Sequence, residues 1–233
     1  MDFTGRQIVI TGGTGALGTA VVGALIEGGA KCRVPYMHED EAKRFPLRDD
    51  KRVELMASGD LSDETVVARI YDGLPKLWAS IHIAGGFAMS PVRETSKQAL
   101  MAQLDTNLVS CFLCCRAAVN AMLRGAEGGR IVNIAARPAL EWRSGAGMAA
   151  YTIAKTGVAA LTAALAEEVA KDNILVNAVA PSIMDTPANR KAMPKADFDK
   201  WPKVEEVART ILYLASADNR VTRGGIVPVF GKS

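Results

Sequence analysis

The sequence predicts an α/β protein in which a parallel sheet is covered by helices on both faces. Three observations carry that reading. Short β-branched runs alternate with segments whose apolar residues recur at helical spacing. A cluster of glycines separates the first run from the first helical segment. The 233 residues, 49% apolar and 23% charged, suit one sizeable core, so 1–233 is read as a single domain.

Residues 7–11 are β-branched, and 16–27 keeps helical spacing up to the Gly28-Gly29 stop, so the chain opens as strand, turn and helix. Residues 31–36 predict a second strand, 39–45 a short helix and 52–57 a third strand. Ser62 is placed to cap a helix over 62–71, and a fourth strand follows at 78–83. A long helix spans 96–124, followed by a strand at 130–135 and a helix at 149–171. A strand at 174–180, an irregular loop at 183–203, a helix at 204–215 and a last strand at 226–230 complete the chain. Alternation of this kind means parallel pairing, because parallel neighbours need crossovers and right-handed crossovers lay helices on the sheet. By itself it leaves more than one doubly wound strand order open.

Composition excludes several classes. Net charge is +3, from 28 Lys and Arg against 25 Asp and Glu, and the basic residues are scattered, which argues against a nucleic-acid partner. Cys32, Cys111, Cys114 and Cys115 suit neither a disulfide framework nor a four-ligand zinc site. They fit a reducing, cytoplasmic setting, with the clustered three as core or subunit-contact residues. His38 and His82 lie far apart in sequence, so no metal centre is expected. Residues 8–26 are uncharged like a signal peptide or membrane span, but glycines crowd where a continuous helix would run, so no membrane partner is expected.

The first turn reads Thr11-Gly12-Gly13-Thr14-Gly15-Ala16-Leu17-Gly18, between a strand and a helix, which is the setting a dinucleotide pyrophosphate requires. Glycines let the backbone approach the phosphates, and the free amides at the positive end of the helix stabilise their charge. Gly12, Thr14, Gly15, Leu17 and Gly18 are therefore candidate contacts. An acid ending the second strand would hold the adenosine ribose and select NAD, but Tyr36 stands there. With no carboxylate at that position, and His38, Lys43 and Arg44 nearby, the site favours NADP over NAD, although a solvated charged helix accounts equally well for Lys43 and Arg44. Asp60 and Leu61 follow the third strand, where they can hold the adenine edge or, for Asp60, make a turn. Tyr151 and Lys155 are i, i+4 on a predicted helix and share a face. An ammonium beside a phenol favours phenolate and draws its pKa down from about 10 toward a useful acid–base range.

With these motifs, Ala84-Gly85-Gly86 after the fourth strand, Asn107, Val176-Asn177-Ala178-Val179-Ala180-Pro181 and Gly224-Gly225, the chain resembles a short-chain dehydrogenase/reductase along nearly its whole length. The resemblance implies a Rossmann fold, a doubly wound seven-stranded sheet in the order 3-2-1-4-5-6-7, with the site at the carboxyl ends of the strands. It implies Tyr151 as proton donor, Lys155 as the residue that binds the nicotinamide ribose and tunes the tyrosine, and Asn107 as holder of a proton-relay water. It also extends the cofactor contacts to Ala84, Gly85, Gly86, Asn107, Tyr151, Lys155, Pro181, Ile183 and Thr186. A homotetramer built through helices at 104–123 and 150–166 is implied as well.

At the end of the fifth strand the family usually places a serine that polarises the substrate carbonyl, but this chain reads Asn133-Ile134-Ala135-Ala136-Arg137, with Ala136 at that position. Alanine donates no hydrogen bond, so ordinary ketone reduction loses an oxyanion contact worth about 3 kcal/mol. Ser144 replaces it only if its loop folds back. Residues 184–201 and Ala84-Gly85-Gly86-Phe87 resemble dihydropteridine reductases, which also dispense with the serine. Their quinonoid substrate accepts hydride readily. The implied small-molecule substrate is a quinonoid dihydropterin or another conjugated ring, facing Phe87, Ala136, Met184, Met193 and Trp201, the last three on a substrate loop at 183–203. A carbonyl or 3-oxoacyl thioester reductase and a low-turnover NAD(P)-binding sensor or scaffold are the alternatives.

Overall fold

The computed structural model describes residues 1–74, 76–125 and 127–233. Its strands are β1 (Gln7–Thr11), β2 (Lys31–Tyr36), β3 (Val53–Ala57), β4 (Leu77–His82), β5 (Gly129–Ile134), β6 (Ile174–Pro181) and β7 (Ile226–Val229). They pair in parallel in the order β3-β2-β1-β4-β5-β6-β7, as the resemblance implied. Every residue of β5 and β6 is buried, which is why these strands show no polar–apolar alternation, Arg130, Asn133 and Asn177 being their buried polar members.

The helices are α1 (Ala16–Glu27), α2 (Glu39–Arg44), α3 (Glu64–Tyr71), α4 (Lys97–Leu104), α5 (Ser110–Gly125), α6 (Arg137–Leu140), α7 (Ala149–Glu168), α8 (Pro187–Ala192) and α9 (Val204–Ala215). One face of the sheet packs on α3, α5 and α7 through Val67, Ile70, Leu113, Met122 and Val158. The other packs on α1 and α9 through Val21, Leu25, Val207 and Ile211. The stretch from α4 through α5 and the helix α7 are each apolar and long enough to cross a membrane, but their buried residues face the sheet. All four cysteines are free and buried.

Three local readings change. Asp63, not Ser62, caps α3, its carboxylate accepting from the Thr65 amide. The helix predicted over 149–171 ends at Glu168, and a separate tight turn, Ala170–Asp172, leads to Asn173 in the left-handed region at φ 56°. The helix predicted over 96–124 is interrupted by a π turn, Asp105–Val109, between α4 and α5. One extra residue per turn leaves the apolar spacing on either side intact, so periodicity does not reveal it.

Candidate active site

The carboxyl ends of β1, β2, β3 and β4 open on a groove of about 590 Å³, a volume suited to a small-molecule ligand. Gly12, Thr14, Gly15, Leu17, Gly18, Tyr36, Asp60, Leu61, Ala84 and Gly85, all singled out from the sequence, line it. A larger hollow of about 790 Å³ between α3 and α5 contains none of the predicted residues.

The glycine turn is shaped by close approach. Gly12 has φ +68°, and a Cβ there would lie 2.6 Å from the Ala84 nitrogen, so only glycine lets the first turn meet the end of β4. Thr11 fixes that junction from the other side, its carbonyl accepting from the Ile83 and Ala84 amides at 3.0 and 3.1 Å. Gly15 caps α1 with no side-chain hydrogen bond, and the helix has no acid in its first turn. The first amides of α1 therefore face the groove unshielded, and the residues present fit a dinucleotide pyrophosphate.

Farther along, the π turn buries Asn107 at 1% exposure. Its Nδ2 donates to the Gly86 and Gln103 carbonyls at 2.9 and 3.1 Å, and its Oδ1 accepts from the Gly86 amide at 3.2 Å. Those bonds brace the loop after β4 against α4. Gly85 lies between Asn107 and Lys155: a Cβ there would sit 2.7 Å from Asn107 Oδ1 and 3.4 Å from Lys155 Nζ. The structure thus brings Asn107, Lys155 and the Gly85-Gly86 turn together.

Tyr151 and Lys155 share one face of α7, with Lys155 Nζ 6.0 Å from the tyrosine ring centroid. Phe87 stands edge-on to that ring at 5.1 Å. Lys155 is 5% exposed and donates to the Ile134 carbonyl at 2.8 Å, which anchors α7 to the end of β5. Burial lowers its ammonium to about 8 and pushes the Tyr151 phenol up to about 12. The expected lowering of the phenol is therefore absent here, because desolvation outweighs an ammonium that is itself buried and tied to a carbonyl. A phenol held protonated is suited to give a proton.

Ala136 lies two residues beyond β5, is 6% exposed and caps α6, so no hydroxyl comes from that position. Ser144 is exposed and donates to the Glu141 carbonyl. Pro181 ends β6 and is buried; in the loop at 183–203, Ile183 is 44% exposed and Thr186 caps α8 by accepting from the Asn189 amide. Met184 and Met193 are half-buried. Trp201, expected to cover a substrate, is 8% exposed and packs on Phe198 of the same loop at 5.0 Å. Arg190 staples the same loop, forming a two-pronged ion pair with Asp185 and lying 4.7 Å over Phe198.

Two features escaped the sequence reading. Glu41 of α2 lines the groove, and its Oε2 accepts from Thr14 Oγ1 and the Met37 amide, both at 3.4 Å, so a carboxylate does stand near the end of β2. Tyr36, by contrast, donates to Glu39. Beneath the site, His82, Cys111 and Cys115 bring possible metal-ligand atoms within 4.8 Å of one another. Both imidazole nitrogens are already engaged, Nδ1 with Asn133 Oδ1 and Nε2 with Ser80 Oγ at 2.8 Å each, so the trio reads as a hydrogen-bonded core cluster.

Comparison with known proteins places this geometry. The sequence profile of short chain dehydrogenases matches residues 6–197. Galactitol 2-dehydrogenase of Rhizobium johnstonii is 30% identical, the match covering 97% of this chain and 93% of that protein. The 3-oxoacyl-[acyl-carrier-protein] reductase FabG of Chlamydia pneumoniae is 29% identical over 93% of this chain and 92% of its own. The solved structure of a short-chain type dehydrogenase/reductase from Mycobacterium ulcerans, 22% identical, superposes with a TM-score of 0.89 over 100% of this chain and 90% of its own, a likeness of fold.

Proposed function

From the premise that this chain belongs to the short-chain dehydrogenase family and is an NAD(P)-dependent oxidoreductase, we propose that it reduces a quinonoid dihydropterin-like or other conjugated cyclic substrate. Residues 1–233 act in this reading as one dinucleotide-binding and catalytic domain. The observation that carries the substrate class is Ala136, buried at the end of β5 with no hydroxyl, beside an intact Tyr151 and Lys155. Such a site protonates a substrate well and polarises a carbonyl poorly. A ring that gains conjugation energy on accepting hydride tolerates that loss; a simple ketone does not.

When bound, the dinucleotide supplies the hydride. The chain's own residues do the rest. The α1 amides and Thr14 hold the phosphates, Lys155 binds the ribose, and Tyr151 gives its proton to the substrate. The family resemblance gives Asn107, whose side chain is braced between Gly86 and Gln103, the holding of the relay water that restores the tyrosine proton. Phe87, exposed and set against Tyr151, forms an apolar wall suited to a planar ring. Consumption of NADH and NADPH against quinonoid dihydropterin, simple quinones, ketones and acetoacetyl thioesters tests the reading. Fastest turnover on the thioesters would favour the carbonyl reductase alternative, which the similarity to a 3-oxoacyl reductase supports.

Two expected results follow from this site. A Cβ on Gly18 would meet the Gly12 carbonyl at an impossible contact, 2.1 Å. Gly18→Val should therefore abolish dinucleotide binding measured by fluorescence titration, and unchanged affinity in a folded variant would place the cofactor elsewhere. The chain is also read as a soluble, cytoplasmic homotetramer. Phe112 on α5 and Ile153 on α7 are 48% and 54% exposed, and the small residues Ala149 and Ala160 of α7 permit close helix approach, whereas Ala150 and Ala154 are buried within the chain. Light scattering at micromolar concentration should give four times the chain mass; a monomeric mass would rule this out.

A further inference from the structure

We propose that Glu41 reads the adenosine ribose, accepting its 2′-hydroxyl and opposing a 2′-phosphate, and so sets the balance between NAD and NADP. The inference rests on the proposed dinucleotide site and goes beyond it by assigning a discriminating residue that lies outside the strand end where such an acid was sought.

Placement is the first argument. β2 ends at Tyr36, His38 caps α2, and the helix starts only three residues beyond the strand. Its first turn carries Glu39, Asp40 and Glu41. Of these three, Glu41 is the one that lines the groove. Its carboxylate bridges two elements, with Oε2 3.4 Å from Thr14 Oγ1 in the glycine turn and 3.4 Å from the Met37 amide. A pyrophosphate on the α1 amides sends its adenosine ribose toward the end of β2, the side on which Glu41 stands.

Charge is the second argument. Of the two basic residues that end α2, Arg44 lines the groove with Glu41 and Lys43 does not. Arg44 donates through Nε to the Asp40 carbonyl at 3.0 Å, and Lys43 lies 4.0 Å from the Asp40 carboxylate. A 2′-phosphate would therefore meet the Glu41 carboxylate beside Arg44, and removing the Glu41 charge leaves Arg44 to draw the phosphate, whereas a ribose hydroxyl can donate to the carboxylate itself. The preference for NADP read from position 36 rested on the lack of an acid there; the fold supplies one from the following helix.

Binding to the purified full chain tests this without turnover. NADH and NADPH, with 5′-ADP and 2′,5′-ADP as fragments, are titrated by calorimetry against the unaltered chain, Glu41→Gln and Glu39→Gln. Glu41→Gln should shift the NADPH to NADH affinity ratio toward NADPH by about tenfold or more, with the same direction for the fragments. Glu39→Gln removes the same charge one turn position away, where the carboxylate accepts from Tyr36 rather than facing the ribose, and should leave the ratio within about twofold. An unchanged ratio in Glu41→Gln, or an equal shift in both variants, would overturn the assignment while leaving the dinucleotide site standing. Failure of the unaltered chain to bind either dinucleotide would overturn the proposed site, and Glu41 with it.

Discussion

Replacing Tyr151 with phenylalanine is expected to lower turnover by about 10²- to 10⁴-fold while dinucleotide affinity stays within a few-fold. The substitution removes the transferable proton and keeps the ring, so the edge-on contact with Phe87 at 5.1 Å and the packing of α7 persist. Lys155→Ala should differ in kind. It removes a ribose contact and the anchor to the Ile134 carbonyl, so it should weaken cofactor binding as well as slow turnover. The pH profile separates the two groups. With the phenol raised to about 12, Tyr151 stays protonated through neutral and mildly alkaline pH, so it does not limit reduction there. Lys155, lowered to about 8, is charged below that pH and loses its proton above it. Reduction should therefore hold steady below about pH 8 and fall as pH rises through it, and the fall should vanish in Lys155→Ala. A Tyr151→Phe variant with unimpaired turnover would remove the proposed proton donor.

Much of this site was legible because its residues sit at the ends of strongly patterned elements. Parallel strands buried on both faces read as apolar runs, so the ends of β1 and β4, and with them Gly12 and Ala84, fell where the pattern put them. Tyr151 and Lys155 needed only the helical period of α7. The π turn did not show, because it adds a residue without disturbing the apolar faces of α4 and α5, and it is this turn that turns Asn107 onto Gly86. Glu41 was hidden for another reason: its place depends on how tightly the chain folds back after β2, which no local pattern records. The raised pKa of the Tyr151 phenol is not legible in the sequence, because spacing gives a shared face but neither the 6.0 Å separation nor the burial that decides the pKa. The pairing of His82 with Asn133 follows from the β4–β5 register, again a tertiary fact.

Adding a hydroxyl where the chain has none gives the sharpest result. Ala136→Ser should raise activity on simple ketones by about 10²- to 10³-fold, the range that one oxyanion donor commands, and change activity on a quinonoid ring by less than about threefold. The asymmetry comes from where charge develops. In ketone reduction the oxygen gains nearly a full negative charge before the Tyr151 proton arrives, and a donor aimed at it stabilises the transition state more than the ground state. In a conjugated ring the charge spreads over several atoms, and a single donor at one of them adds little. Position 136 can deliver that donor because it is extended, at φ −159° and ψ 163°, and lies at the carboxyl end of β5 where Lys155 is already anchored through Ile134. The site is tight at 6% exposure, and the serine adds one oxygen to the alanine, so the substitution should cost about 1–3 kcal/mol of stability, which thermal unfolding measures. Steady-state kinetics on matched ketone and quinonoid substrates decide the point. Ketone turnover in the unaltered chain equal to that on quinonoid rings, or a serine variant that speeds both alike, would mean that the missing hydroxyl does not reflect the substrate.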